Sequence, residues 1–179
     1  MPDRLERSES LIDRGFCRTM SRYNAWQNKA LWSVIDAMDE ADILADHVGP
    51  HTSVLGRLNR LLWIDQMWLS RLSTLKVPHQ TLAESAEMRP TPATWWAERF
   101  RTDGAFRMWA DTLSSLDLTG DMAFWSISLE TDVIRPKTMC IMHIFNQQTE
   151  QRSQIRALLA AAGQSLPPSD LFLLPAEEA

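Results

Sequence analysis

The sequence predicts an all-α fold: a four-helix bundle with a short β-hairpin or strand element before the last long helix. Three observations predict it. Apolar residues recur at three- and four-residue steps through four long segments. None of those segments has a proline in its interior. Alternation with a period of two is confined to one short stretch between the third and fourth segments. Four such helices close around one core as a bundle, and residues 1–179 read as a single domain.

The first helix is expected from about Leu11 to Met38. Phe16, Met20, Tyr23, Ala30, Val34 and Met38 would form its buried face. The second starts at Thr52 or Ser53, whose side-chain oxygen can accept a free N–H of the first turn. It runs to about Leu72 and is apolar nearly all round, which suits a central position. The third takes Thr91 as N-cap and Pro92 as its first residue, then reaches about Leu116. Trp95, Trp96, Phe100, Phe106 and Trp109 are its packing residues. In "DMAFWSISLETDVIRPK" the residues Phe124, Ser126 and Ser128 alternate with Trp125, Ile127 and Leu129. This predicts the small β element, with Thr131-Asp132 as its turn. The fourth helix runs from Lys137 or Thr138 to Ala162, and Gly163 fits the left-handed position just beyond it. In the tail, Leu171, Phe172 and Leu174 are expected to pack as one short turn.

Composition removes several function classes. The chain has 179 residues, a net charge of −5 and six glycines. An acidic chain without a basic stripe argues against nucleic acid as a partner. Few glycines argue against a phosphate-cradling loop. No run of about 18 apolar residues is present, so no membrane span is expected. "MPDRLERSES" lacks the apolar stretch of a signal peptide, and the expectation is a cytoplasmic protein. Cys17 and Cys140 form neither a disulfide framework nor a zinc knuckle and read as packing residues.

Four stretches carry a family resemblance. They are "RYNAWQNKAL", "SVLGRLNRLLWIDQMWLSRL", "HIFNQQTEQRSQIRALLAAAG" and "PPSDL". Together and in this order they resemble the DinB-like family of metal-binding four-helix bundles. The resemblance implies a divalent metal, zinc or nickel, held by three histidines. One would lie on the second helix and two, four residues apart, on the fourth. That spacing puts two ligands on one helical face. Some relatives of this kind resemble thiol S-transferases.

Carried over residue by residue, the three ligand positions are Arg60, Gln147 and Gln151, and none is a histidine. Asn59, Asp65, Trp68, His143, Asn146, Arg152 and Gln154 do keep the family pattern. A guanidinium stays protonated and repels a dication, and a glutamine carbonyl is a weak partner for zinc or nickel. No cofactor is therefore expected, and the inherited metal site reads as degenerate.

Arg60 shares its helical face with Gly56, Trp63, Ile64 and Met67. A charge there needs partners. Three uses present themselves. The glutamine carbonyls of Gln147 and Gln151 accept its N–H groups; or it holds a small anionic ligand; or it reaches outward to water. The expected binding pocket comprises Arg60, Gln147, Gln151, Asp65, Trp63 and His143. Asp65 is expected to accept a hydrogen bond from Tyr23, Asn24 or Trp26. His143 and Glu150 suggest a relocated metal site but read better as a surface pair. His47, His51 and His79 are expected to be exposed. Two functions follow from these residues: a small-molecule or protein-binding bundle, with homodimerisation through an apolar face left open; and a metal-dependent thiol S-transferase or hydrolase with an atypical site.

Overall fold

The computed structural model describes residues 11–47 and 52–176. Its long helices are α1 (Arg14–Ile35), α3 (Val54–Leu72), α4 (Pro92–Thr112) and α5 (Lys137–Ala161), with a short α2 (Glu40–Leu44) in the first connection. The helix α1 packs on α4, α4 on α3, α3 on α5 and α5 back on α1, which closes the bundle. Strands β1 (Asp121–Ser126) and β2 (Thr131–Pro136) form an antiparallel hairpin immediately before α5. Short 3-10 turns at Glu84–Glu87, Leu116–Leu118 and Leu171–Leu173 complete the elements. No helix is long and apolar enough to cross a membrane among the described residues.

The caps act as the sequence dictates. Asp13 accepts the Phe16 N–H at 2.8 Å and starts α1. Ser53 does the same for Gly56 at 3.0 Å, so Ser53 rather than Thr52 is the cap of α3. Thr91 and Thr94 bond each other's backbone N–H ahead of α4, with Pro92 in the first turn. At the end of α5, Gly163 has φ +74°. Its N–H bonds Ala160 O at 3.0 Å, and Gln164 N–H bonds Leu159 O at 2.8 Å. This pair of bonds is a Schellman ending, which glycine allows without a Cβ clash.

The core runs through the bundle from Cys17, Leu31 and Ile35 on α1 to Ile141, Phe145, Ile155 and Leu159 on α5. At its centre α3 is buried on nearly all sides, from Val54 to Leu69. Several expectations need correction. On α1 the innermost residues are Cys17, Ser21, Asn24, Asn28, Leu31 and Ile35. Phe16, Met20, Val34 and Met38 lie beside the core rather than in it. Two asparagines, Asn24 and Asn28, sit at the centre of that buried face. Phe100 is 67% exposed, on the outer side of α4. Leu171 and Phe172 are exposed in the tail. Thr131 and Asp132 belong to β2, paired with Ser126 and Trp125. The turn is instead 127–130, where Glu130 has φ +50°. The helix α4 ends at Thr112, short of Leu116. His47 and His79 are exposed, and His51 lies outside the described residues.

Candidate functional site

A cleft of about 280 Å³ opens between α3, α5 and the hairpin. Its floor is Trp63, Ile64, Met67 and Trp68 from α3, successive turns of one helical face. Phe124 of β1 and His143 of α5 close it, each edge-on to Trp68, at ring-centroid distances of 5.2 and 5.4 Å. The Trp68 indole N–H donates to Gln147 Oε1 at 2.9 Å, which fixes both side chains.

Arg71 enters this cleft one turn beyond Trp68. Its guanidinium carbon lies 4.4 Å from the Trp68 ring centroid and 4.5 Å from that of Phe124. One N–H donates to Trp125 O at 3.2 Å. The other N–H groups of Arg71 have no hydrogen-bond partner among the described residues. Burial lowers its pKa from the ordinary arginine range. The cleft thus combines aromatic walls with a cation that keeps N–H donors without a protein acceptor among the described residues.

Three of the six expected pocket residues meet here: Trp63, His143 and Gln147. Arg60, Asp65 and Gln151 do not line it. Arg60 donates to Leu82 O and to Ser85 Oγ, the latter at 3.0 Å. It therefore does not bond the carbonyls of Gln147 and Gln151. Its neighbours on α3 act alike. Asn59 donates to Ala86 O and Arg89 O at 2.8 and 2.9 Å, and Trp63 donates to Gln80 O at 2.8 Å. One face of α3 thereby ties down the connection that leads to α4. Burial, then the nearby Arg57, lowers the pKa of Arg60. The carbonyl oxygen of Gln151 is buried and unpartnered.

These residues do not fit the metal that the family resemblance implies. The cation of Arg60 is engaged by the 82–85 turn, and Gln147 Oε1 already accepts from an indole. Only the neutral carbonyl of Gln151 remains, which alone cannot hold zinc or nickel. His143 and Glu150 are both exposed on α5.

Asp65 belongs to a second assembly, at the centre of the bundle. Arg99 of α4 donates to Asp65 Oδ2 at 2.6 Å, and Gln148 of α5 donates to Oδ1 at 2.9 Å. Its partners are thus neither Tyr23, Asn24 nor Trp26. Arg99 also lies 2.7 Å from Asp103, although that nitrogen is not aligned for a hydrogen bond. Asp103 accepts from Asn24 at 3.1 Å and from Asn28 at 3.0 and 3.1 Å. The same two asparagines turn their oxygens to Arg152. All four long helices contribute. Burial opposes the charge of Arg99, but Asp103 and Asp65 outweigh it and its pKa is raised. Burial raises Asp103, against the pull of Arg99. Burial pushes Arg152 down to about 10, against the pull of Asp65.

Arg71, Arg99, Asp103 and Gln148 were not among the expected site residues. The signal for Arg99 was present: it falls in step with Trp95 and Phe106, and Asp103 lies one turn on. Arg71 likewise continues the Ile64, Met67, Trp68 face.

A protein-family model described as the DinB family matches residues 5–178. No curated protein matches the chain.

Proposed function

The chain belongs to the DinB family, and from that premise we propose that it is a metal-free binding bundle that takes a small molecule in the cleft beneath the hairpin. The observation that carries this reading is Arg71. A guanidinium lying against two aromatic rings, with donors left over, recognises an acceptor on a flat and largely apolar molecule. Trp63, Ile64 and Met67 supply the apolar contact. The inherited ligand positions support a metal-free reading through their chemistry: a cation and two neutral amides.

The test uses 8-anilinonaphthalene-1-sulfonate, an aromatic anion, as the probe. The expected result is saturable binding in the presence of a chelator. Met67→Trp, which fills the cleft, should reduce that binding. Binding that requires added zinc or nickel would favour the other reading, a metal-dependent thiol S-transferase or hydrolase. Binding that ignores Met67→Trp would place the probe elsewhere and contradict the proposal.

A further inference from the structure

A second cavity, of about 160 Å³, lies between α1, α5 and the tail. It shares no lining residue with the cleft beneath the hairpin. Two guanidinium groups line it, those of Arg152 and Arg156, and no carboxylate does. Arg152 is 8% exposed. Its Nε is buried with no hydrogen-bond partner. Its bonds go to the neutral amide oxygens of Asn24 and Asn28, and no carboxylate lies within ion-pair distance of it among the described residues. Asp65 and Asp103 attract this cation only from beyond ion-pair distance, and its Nε is left without an acceptor.

The rest of the cavity is shaped to match. Arg156 is exposed and donates to Ser169 Oγ at 3.2 Å. Gln27 donates to the same hydroxyl at 3.2 Å, so Ser169 has its own proton available for an incoming acceptor. Leu31, Leu166 and Pro167 give one side of the cavity an apolar surface. Asp170 is exposed and is not part of the lining. The tail is anchored over the site by Tyr23, whose hydroxyl donates to Ser169 O at 2.6 Å.

We propose that this cavity binds a small carboxylate with a short aliphatic chain, its oxygens held by Arg152 inside and Arg156 at the entrance. An isolated phosphate would satisfy the guanidinium groups but leave the apolar side without contact. The planar carboxylate suits the guanidinium fork, and its chain covers Leu31 and Leu166.

The experiment is an NMR titration of the full chain with butyrate, at constant ionic strength in chloride, with inorganic phosphate as the second probe. Saturable shifts with butyrate are expected, with weaker or no response to phosphate. Arg156→Ala, at an exposed position, should weaken butyrate by about tenfold, the size of one charge-assisted hydrogen bond. Arg152→Lys should weaken it further with the far-UV circular dichroism retained. If that variant fails to fold, Arg156→Ala and Ser169→Ala still decide the matter. Met67→Trp should leave butyrate binding unchanged, which separates this site from the cleft. The proposal is overturned by the absence of saturation, by phosphate binding in preference to butyrate, by an unchanged affinity in Arg156→Ala, or by loss of butyrate binding in Met67→Trp.

Discussion

Arg99 on α4 and Asp65 on α3 meet at 2.6 Å with neither side chain exposed. Two charges this deep are stable only because further groups close around them. Gln148 takes the second oxygen of Asp65, and Asp103 lies on the other side of Arg99. The centre of the bundle is therefore polar and specific, and it joins α1, α3, α4 and α5 at one level.

Removing either half of this pair strands the other. Asp65→Ala is expected to cost about 3–5 kcal/mol of stability, as for other broken buried pairs. Arg99→Ala should cost a similar amount. The double variant should cost less than the sum, by about 0.5–3 kcal/mol, because the two side chains are coupled. Urea melts of the four proteins measure this, and strictly additive losses would show that the pair does not act as a unit.

Arg60 has a structural task on this account. Arg60→Met removes its bonds to Leu82 O and Ser85 Oγ. The expected result is faster amide exchange across 80–87 and a loss of about 1–3 kcal/mol. Binding of the anilinonaphthalene sulfonate probe should not change. A loss of probe binding without faster exchange in that segment would return Arg60 to the pocket.

Burial raises the Cys17 thiol to about 11, with Asp13 adding to the effect. The folded pKa lies above the unfolded one, so this contribution to stability is complete below about pH 9. It is lost as pH rises through about 11. Cys17→Ala should flatten the alkaline fall of the stability curve. Cys140 is also raised, chiefly by burial, so some slope should remain in that variant. An alkaline slope identical in the variant and the parent would remove Cys17 as its cause.

Trp68 organises the cleft through its bond to Gln147. Trp68→Phe keeps an aromatic ring but removes the N–H. It should cost about 0.5–1.5 kcal/mol and weaken probe binding, since Arg71 then loses its better cation–π face. Unchanged probe affinity in this variant would argue that the indole does not shape the cleft.

Much of the architecture was legible in the residues. Thr91-Pro92, Ser53 and Gly163 marked helix ends because capping is local chemistry. The apolar stripe of α5, with Ile141, Phe145, Gln148, Ile155 and Leu159, is buried as its spacing requires. The site was harder to read for a physical reason. Periodicity ranks residues by apolarity, so it placed Phe100 inside and gave Arg99, its neighbour, no role. The burial is the reverse, because the partners of Arg99 come from α3 and from its own next turn. The role of Arg60 is hidden for a related reason. Its partners lie 22 and 25 residues along the chain, in a turn with no helical period to announce it.

The most direct test of the metal-free reading is the metal content of the full chain purified without a chelator, set beside the variant with Arg60→His, Gln147→His and Gln151→His together. The account predicts zinc and nickel far below stoichiometric in the parent, and tight uptake only after the three substitutions. Zinc or nickel near one equivalent in the parent, removable with loss of probe binding, would contradict it.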